Sequence, residues 1–525
     1  MPVSFASVIA SMSRFARAVR LSLHPGSSSC TGLPSAGSRS ASSTVPPGNT
    51  YAPPAKSLLM WRSSMNTSSM SAASRRTITV DESRGTIGSA GSRSSGISNG
   101  ALLLSSTQIC SQTGRGSSNR ARGYNPSSAA APGGPMDFAV PAELDEVRAS
   151  LLAFIDREVR PVEERFRAEL QEDRWTEEMR DAASALRQKS AEIGYYGAHL
   201  PEEVGGWGLS TLGYTLLVEA GAQTGLRFTT AVLGPPNPEA PTRLLLQASP
   251  ELQKKYLVPL VKAEKTMCFA LTEPDAGSDA QAIRTRATRD GDHFVLNGTK
   301  HFITNGAYAD FAIVFAVTDP EKKAQGGITA FIVDKGTPGF TVGKHQRTMA
   351  GETSQVELVF DDCRVPATNI VGEEGFGFYA AMKFLNTGRA YIGALCLGIA
   401  EYCVRIATEY AKDRKTFGKP IGKYQAVQWM LADSAVEIEA ARWMTYRLAW
   451  LCDQGEEPMR ESSMVKLYNT EMVNRVADRA VQIFGGMGYL AEGPVERIFR
   501  FVRMLRIVEG TSEIQRLVIA RTMGL

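Results

Sequence analysis

The 525-residue chain has few of the residues that build metal sites or disulfide networks. Its five histidines show no clustered spacing, and its seven cysteines are scattered, odd in number and without a C-x-x-C pair. This pattern favours reduced thiols in a cytosolic or matrix compartment over a disulfide framework or a zinc site. Apolar runs such as residues 101–104 fall far short of the roughly 20 residues that cross a bilayer. We therefore expect no metal and no membrane span.

The first 135 residues are short of acidic side chains. They contain 13 Arg and Lys but only Asp81 and Glu82, a net charge of +11, which leaves −7 for the other residues of a chain whose total is +4. The excess of Arg and Lys lies in a low-complexity segment, so the positive total charge is no evidence for a nucleic-acid partner. Such a segment cannot bury enough apolar surface to offset the entropy of ordering it.

Three interpretations of residues 1–135 stay open. An Arg-rich, Ser-rich and acid-poor start fits an organellar transit segment, which would place the protein in the mitochondrial matrix. A disordered regulatory arm is the second interpretation. The third is a start assigned too far upstream, because Met136 directly precedes a helical pattern. We favour this third interpretation, which would place a protein of bacterial type in the cytoplasm.

The body of the chain, residues 136–525, changes periodicity twice. Apolar residues at three- and four-residue steps, beginning with Leu144, Val147 and Leu151, predict an N-terminal helical domain over 136–266. A middle, antiparallel β domain is predicted over 267–373 because short β-rich runs there are bounded by turn residues. Those runs are 293–298, 311–317, 328–333 and 356–360.

Helical periodicity returns over 374–525 and predicts a C-terminal helical bundle. Within 426–451 one broad apolar face is expected to pack into the bundle core. Its residues are Val427, Met430, Leu431, Val436, Ile438 and Met444. The chain lacks β-α-β alternation and a G-x-G-x-x-G motif, which excludes a nicotinamide-binding Rossmann domain.

Glu509 is a candidate general base. It follows the apolar pair Ile507-Val508 and precedes Gly510-Thr511-Ser512. Ser512 and Gln515 have the spacing of a capping box, which predicts a helix with Ser512 as its N-cap. Glu509 would then lie between two helices, where apolar neighbours could exclude water and raise its pKa toward working pH. The alternative is a solvated loop glutamate.

Five blocks in this order resemble those of the acyl-CoA dehydrogenases, flavin enzymes of acyl-CoA oxidation. They are CFALTEPDAGSD at 268–279, KHFITNG at 300–306, DRKTFG at 413–418, QIFGGMGY at 482–489 and EGTS at 509–512. The resemblance implies an α+β, mostly helical fold: an N-terminal helical domain, a middle β-barrel or sandwich and a C-terminal four-helix bundle. It also implies an FAD-dependent oxidoreductase of fatty acid β-oxidation.

The resemblance implies a flavin site assembled from several blocks. Donors to the flavin ring are implied at Leu271-Thr272 and Ile303-Thr304, ring packing at Phe302, a phosphate turn at Gly277-Ser278 and a pyrophosphate partner at Arg414. The full implied set is Phe269, Leu271, Thr272, Gly277, Ser278, Phe302, Ile303, Thr304, Arg414, Thr416, Phe417, Gln425, Gln482, Gly486, Thr511 and Glu513. In the family, the six members between Arg414 and Gly486 reach across a subunit interface, which implies a homotetramer or homodimer.

The same resemblance implies the chemistry. Glu509 would abstract the α-proton of an acyl-CoA and flavin N5 would accept the β-hydride, giving a trans-2-enoyl-CoA. The thioester oxygen would be bound by the flavin ribityl 2′-OH and the Glu509 N–H. Residues implied at the substrate are Ser278, Asn386, Arg389 and Gly510. The family's second position for the base falls on Gly388, which cannot abstract a proton, and this favours Glu509.

Electrons would pass to an electron-transfer flavoprotein. The alternatives are an acyl-CoA oxidase that uses O₂ and a non-catalytic flavoprotein on the same scaffold. The loop 232–241 corresponds to the wall of the acyl pocket in relatives, and its four prolines prevent a residue-by-residue match. The sequence therefore leaves the length and branching of the acyl chain open.

Overall fold

The computed structural model describes residues 140–351 and 354–525, so the interpretations of residues 1–135 lie outside the described residues. The first part of the described chain is helical. Its α-helices are α1 (Ala142–Phe154), α2 (Arg160–Arg165), α3 (Arg167–Gln171), α4 (Glu177–Ile193), α5 (Thr211–Gln223), α6 (Pro250–Leu252) and α7 (Val258–Val261). A π-helical turn (Ile155–Val159) joins α1 to α2, and a second one (Gln253–Leu257) joins α6 to α7.

The boundaries of the longer helices follow from capping residues. The Thr176 hydroxyl accepts a hydrogen bond from the Met179 N–H at the start of α4, and that helix ends at Gly194, whose φ is +108°. Ser210 caps α5 in the same way, through the Gly213 N–H. Helix α5 is apolar almost all round and is correspondingly buried on nearly every face.

The middle part contains a seven-stranded sheet in the order β1-β4-β2-β3-β7-β6, with β5 paired to β4. The strands are β1 (Met267–Ala270), β2 (Arg286–Asp290), β3 (His293–Ile303), β4 (Phe311–Val317), β5 (Ile328–Asp334), β6 (Phe340–His345) and β7 (Val356–Pro366). The four predicted runs therefore all lie in strands. The sheet packs on the helical part through buried residues of α7, β4 and β5.

The prediction of an antiparallel sheet was wrong for two strand pairs. Strands β1 and β4 run parallel with Met267 opposite Phe311, and β2 meets β4 in parallel at a single pair, Arg286 and Val317. The reason is the long connection between β1 and β4, which contains the β2–β3 hairpin and lets β4 return in the direction of β1. The remaining pairs are antiparallel.

The last part is a helical bundle with a small hairpin. Its helices are α8 (Gly377–Asp413), α9 (Gln425–Asp453), α10 (Met459–Phe484), α11 (Gly486–Tyr489), α12 (Pro494–Leu505) and α13 (Ser512–Thr522), and β8 (Lys415–Thr416) pairs with β9 (Lys419–Pro420). Helix α8 lies in the centre, with buried residues facing both α5 and α10.

Among the described helices, α8 is long and apolar enough to cross a membrane by length and composition alone. Most of its apolar window is buried inside the protein, as in the central helix of a bundle. Inspection of unbroken apolar runs missed this helix because glycines and polar residues interrupt its apolar sequence.

One face of α9 differs from the prediction of a buried bundle core. Ile438 is buried, but Val436 is 70% exposed, and it lies in a row with Trp429, Trp443 and Trp450, which are also exposed. These four residues are spaced by seven, so they form one stripe along the helix. The described part of the single chain leaves this apolar stripe exposed.

Candidate active site

Glu509 lies in the short turn between α12 and α13, as expected. Its φ is +54° and that of Gly510 is +87°, so two consecutive residues are left-handed. A side chain at residue 510 would place its Cβ 2.7 Å from Gln515 Nε2, which requires glycine there. For Glu509 the left-handed backbone is a strain that the surrounding structure must hold, and such strain often marks a functional site.

The predicted N-cap of α13 was wrong by one residue. Thr511 is the N-cap, and its hydroxyl accepts a hydrogen bond from the Ile514 N–H. Ser512 instead donates to Glu471 Oε1 at 2.7 Å. Gln515 reaches back past the helix start and donates to the carbonyl oxygens of Glu509 and Gly510, at 3.1 and 3.0 Å. Gln515, the second residue of the predicted capping box, therefore holds the turn that carries Glu509.

The charges of two buried cations, Arg389 and Lys466, act on the Glu509 carboxylate, and its buried Oε2 makes no hydrogen bond to a described residue. Burial raises the pKa of Glu509 above its ordinary value, while the charges of Arg389 and Lys466 act in the opposite direction. A carboxyl with one buried, unsatisfied oxygen and a raised pKa is suited to act as a general base.

The expectation that Ile507 and Val508 shield Glu509 from water was wrong. Ile507 is 56% exposed and Val508 is 36% exposed in the single chain. The carboxylate oxygen is buried because the turn packs on α8 and α10, which carry Arg389 and Lys466.

Arg389 connects the turn to the substrate residues implied by the sequence. One guanidinium nitrogen donates to Asn386 Oδ1 at 3.1 Å and to Ser462 Oγ at 3.3 Å, and another lies 3.5 Å from the Glu509 carbonyl oxygen. Arg389 is 6% exposed, and none of the described residues accepts a hydrogen bond from its Nε. Asn386, Arg389, Glu509 and Gly510 therefore lie together.

Lys466 was missed by the sequence analysis. Its side chain is fully buried in α10, and its amino group makes no hydrogen bond within the described part of the chain. Burial lowers the pKa of Lys466 to about 8, against the opposing influence of Glu509. The helical periodicity could have indicated that this lysine is buried, because Lys466 shares one buried stripe of α10 with Ser462, Asn469 and Val473.

Gly388 of α8 faces the base. A Cβ built on this glycine would lie 4.0 Å from Glu509 Oε2 and would contact nothing closer. The absence of a side chain at 388 therefore leaves open the space directly beside the carboxylate.

The implied flavin residues of the sheet lie at the ends of β1 and β3. The Leu271 carbonyl oxygen accepts a hydrogen bond from Lys300 Nζ at 3.0 Å, and the Thr272 carbonyl oxygen accepts one from the His301 N–H at 2.8 Å. Lys300, which is fully buried, also pairs with Glu273 at 2.7 Å. This buried ion pair joins the two segments that carry Leu271-Thr272 and Ile303-Thr304.

Phe302 is 63% exposed, and its φ of +59° turns it out of the strand direction. The neighbouring Ile303 is buried in the sheet core, and the Thr304 hydroxyl accepts a hydrogen bond from Gln355 Nε2 at 3.0 Å. Phe269 packs against Phe315 and, at 6.1 Å between ring centroids, against Phe384 of α8. An exposed aromatic ring beside hydroxyl groups provides a surface for a planar ligand.

Gly277 and Ser278 lie in an exposed turn after β1. Nothing lies within 4 Å of the position that a Cβ of Gly277 would occupy. Their backbone is therefore accessible to a phosphate, as a phosphate-binding turn requires.

The other implied cofactor residues lie on different elements. Arg414 is the C-cap of α8, whereas Thr416 and Phe417 belong to the β8–β9 hairpin, where Phe417 is 95% exposed and has a φ of +49°. Gln425 starts α9, and Gln482 and Gly486 lie around the end of α10. Within the described residues, no hydrogen bond or ion pair connects these six to Glu509 or to the sheet residues. At the turn itself, Thr511 is half-buried and Glu513 is exposed.

Comparison with protein families covers nearly all of the described chain. The model "Acyl-CoA dehydrogenase, N-terminal domain" matches residues 141–264, the middle-domain model matches 268–363, and the C-terminal-domain model matches 375–524. The chain belongs to the acyl-CoA dehydrogenase family.

Individual relatives agree with this membership. A short-chain specific acyl-CoA dehydrogenase of Clostridium acetobutylicum is 41% identical over 388 residues, which are 73% of this chain and 99% of the relative. A solved structure described as the electron transferring flavoprotein of Acidaminococcus fermentans is 37% identical, with a TM-score of 0.66 over 74% of this chain and 99% of its own. One described as PigA with FAD and proline is 29% identical, with a TM-score of 0.67 over 74% of this chain and 100% of its own.

Family membership confirms the predicted class of protein. The acyl-CoA dehydrogenase fold has helical N- and C-terminal domains and a middle sheet domain, as this chain does. The chain is a flavoprotein oxidoreductase that acts on acyl-CoA.

Proposed function

We propose that the protein catalyses the FAD-dependent α,β-dehydrogenation of an acyl-CoA to a trans-2-enoyl-CoA, with Glu509 as the base. The observation that carries this proposal is the Glu509 carboxylate itself. Its Oε2 is buried and unpaired, and the space beside it at Gly388 is open. Among the described residues, the charges of Arg389 and Lys466 act on this carboxylate, but no donor makes a hydrogen bond to its Oε2.

The implied residues fit a flavin. The accessible Gly277-Ser278 turn and Arg414 would hold its phosphates, and Thr272, Phe302 and Thr304 would contact its ring. When bound, the flavin supplies a two-electron acceptor for the hydride from the substrate β-carbon.

The chain's own residues would handle the proton. Glu509 would take it from the α-carbon, becoming a neutral carboxylic acid, and burial favours that neutral form. The Glu509 N–H makes no hydrogen bond to another described residue, so it is free to donate to the thioester oxygen. Gln515 and Arg389 hold the carbonyl side of the same turn and so aim this N–H.

A homo-oligomer would complete the cofactor site. Phe417 is almost fully exposed, and the group from Arg414 to Gly486 has no connection to Glu509 within the described chain. The stripe of Trp429, Val436, Trp443 and Trp450 offers a continuous apolar surface of the kind that subunits bury. These features support a homodimer or homotetramer in which a second subunit contributes the group from Arg414 to Gly486.

An electron-transfer flavoprotein is the proposed acceptor. The test uses the flavin-loaded enzyme and a panel of acyl-CoAs, mixed without oxygen while flavin absorbance is followed. We expect bleaching by at least one straight-chain acyl-CoA, slow re-oxidation in air and fast re-oxidation by an electron-transfer flavoprotein. Rapid re-oxidation in air would instead indicate an oxidase.

Replacing Glu509 by Gln tests the base. General base catalysis contributes about 10²- to 10⁴-fold, so we expect flavin reduction to slow by about that factor while FAD stays bound. The control is Glu409→Gln, which changes an exposed carboxylate on α8 that pairs loosely with Arg405. Flavin reduction by Glu509→Gln at a rate close to that of the unchanged enzyme would refute the assignment.

A further inference from the structure

The turn at the end of β3 carries two of the implied flavin contacts, Phe302 and Thr304. The ladder between β3 and β7 is irregular there, because its register shifts between Lys300 and Ile303. Such a β-bulge disrupts the ladder locally and re-aims a side chain. Phe302 lies in this bulge with a φ of +59°, and Asn305 has a φ of +63°. These conformations are uncommon for residues other than glycine, so the surrounding structure must hold them.

Side chains at the ends of β6 and β7 hold this turn. Gln346 directly follows β6, and Ser354 and Gln355 lie just before β7. Gln346 Oε1 accepts a hydrogen bond from the Phe302 N–H at 3.1 Å. Ser354 Oγ accepts one from the Asn305 N–H at 3.2 Å. The backbone N–H groups of both left-handed residues are therefore bound by these side chains.

The orientation of Gln346 follows from a histidine and an acid of the sheet. Its Nε2 lies 2.9 Å from Nε2 and 3.1 Å from Nδ1 of the His301 ring, and that Nδ1 lies 3.1 Å from Glu357 Oε1. An ionised carboxylate only accepts hydrogen bonds and an amide nitrogen only donates them. Nδ1 of His301 therefore donates to Glu357, and its Nε2 accepts from Gln346. Gln346 Oε1 is then left to accept from the Phe302 N–H, as observed.

The same histidine supports the Phe302 ring. The two ring centroids are 4.1 Å apart, with 71° between the ring planes. His301 is itself held in place, because its backbone N–H donates to the Thr272 carbonyl oxygen at 2.8 Å. Both the backbone and the ring of Phe302 are therefore fixed by neighbouring residues of the chain.

Gln355 determines the direction of the Thr304 hydroxyl. Gln355 Nε2 donates a hydrogen bond to Thr304 Oγ1 at 3.0 Å. Because this oxygen accepts a proton from Gln355, its own O–H must point elsewhere. Thr304 is half-buried, and its O–H and backbone N–H donate to no other described residue. Both donors of Thr304 are therefore available to a ligand.

We propose that Gln346 and Gln355 are positioning residues for the flavin. Gln346 holds Phe302 at the flavin ring, and Gln355 directs the Thr304 O–H toward that ring. The ring gains negative charge on reduction, and a hydrogen bond to a charged acceptor is roughly twice as strong as one to a neutral acceptor. The directed hydroxyl therefore favours reduced over oxidised flavin. This inference rests on the flavin site of the proposed function and adds the side chains that set its geometry.

The experiment measures the two-electron reduction potential of the FAD-loaded protein by photoreduction against a reference dye. No acyl-CoA is present, so the result does not depend on the dehydrogenation. Gln355→Leu removes the donor to Thr304 and keeps a side chain of similar size. We expect the preference for reduced over oxidised flavin to fall about tenfold, which corresponds to a potential lower by about 30 mV.

A second background shows whether Gln355 acts through Thr304. Thr304→Val removes the hydroxyl with little change in volume. In that background Gln355→Leu should change the preference for reduced flavin less than about twofold, because no hydroxyl remains to be directed. The matched control is Gln325→Leu, which alters an exposed glutamine between β4 and β5 and should leave the potential unchanged.

Gln346→Leu tests the support of Phe302. It removes the acceptor of the Phe302 N–H, so the left-handed backbone loses the contact that holds it. We expect the affinity for FAD, measured by fluorescence titration of the flavin-free protein, to fall about threefold to tenfold. The control Gln325→Leu should bind FAD as the unchanged protein does.

Three results would overturn the proposal. An unchanged potential in Gln355→Leu, or an equal shift with and without the Thr304 hydroxyl, would show that Gln355 does not direct that hydroxyl. An unchanged FAD affinity in Gln346→Leu would refute the role of Gln346. If the protein binds FAD but no acyl-CoA reduces it, the dehydrogenation proposal fails and the measured potentials still decide this one. If the protein binds no FAD, both fail.

Discussion

Replacing Lys300 by Met tests whether the buried ion pair with Glu273 holds the flavin-binding edge of the sheet together. Lys300 is fully buried and Glu273 is 7% exposed, and they are 2.7 Å apart. The Lys300 amino group also donates to the Leu271 carbonyl oxygen at 3.0 Å. Methionine keeps most of the side-chain volume but removes the charge and both hydrogen bonds.

The loss leaves the Glu273 carboxylate buried without a counter-charge. It keeps only its hydrogen bonds from the Arg284 N–H, the Thr285 N–H and the Thr285 hydroxyl. Breaking a buried ion pair at one side costs about 3–5 kcal/mol. For a domain of 150–250 residues each kcal/mol lowers the melting temperature by roughly 2–4 °C, so we expect a fall of about 6–20 °C.

Thermal unfolding followed by circular dichroism, with FAD release recorded in parallel, measures the effect. The control is Lys322→Met, which breaks an exposed pair with Asp319 and should cost less than about 1 kcal/mol. The double variant Glu273→Gln/Lys300→Met should be more stable than Lys300→Met alone, because no unpaired charge remains buried. A melting temperature of Lys300→Met within about 3 °C of the unchanged protein would refute the reasoning.

The same variant has a pH signature. Burial opposes ionisation of Glu273, but Lys300 and the other hydrogen-bond donors hold the pKa of Glu273 below its ordinary value. In the unchanged protein, the lowered pKa of Glu273 stabilises the folded state fully above the pKa that Glu273 has in the unfolded chain. This contribution is lost as the pH falls through the pKa that Glu273 has in the folded protein. In Lys300→Met the unpaired carboxyl gains from protonation, so the stability gap between the two proteins should narrow from neutral pH to about pH 5.

Two further predictions concern the base and the oligomer. Lys466→Met removes a positive charge that lowers the pKa of Glu509. The acid limb of the pH profile for flavin reduction should therefore move to higher pH. An acid limb at the same pH as in the unchanged enzyme would contradict the coupling between Lys466 and Glu509. Val436→Asp places a charge in the middle of the exposed α9 stripe and should dissociate the oligomer in analytical ultracentrifugation. Ala435→Asp, which adds the same charge one residue earlier and off the stripe, should leave the sedimentation profile unchanged.

Local sequence patterns predicted the elements well because periodicity and turn residues act over short distances. The runs at 293–298, 311–317, 328–333 and 356–360 all lie in strands, and the Glu509 turn lies between two helices. Pairing direction was wrong for β1 and β4, since it depends on the path of the whole connection between them. The N-cap shifted from Ser512 to Thr511 because Glu471, 41 residues away, engages Ser512.

The candidate site was predictable only in part. Motif resemblance indicated Glu509, Arg389 and Asn386, and the structure places these three residues together. It did not indicate Lys466, because that residue belongs to no motif block. A helical pattern shows which residues share a face, but not which other helix that face will meet.

The sequence by itself determined the protein family, the order of helical and strand regions and the identity of the candidate base, since each is encoded in short contiguous blocks. Only the tertiary structure decided the electrostatic setting of that base. Arg389 lies in α8, Lys466 in α10 and Glu509 in the turn between α12 and α13, so their mutual electrostatic effect depends on how these elements pack. The pKa of a buried group depends on the charges and the burial around it in space, and both are set by packing.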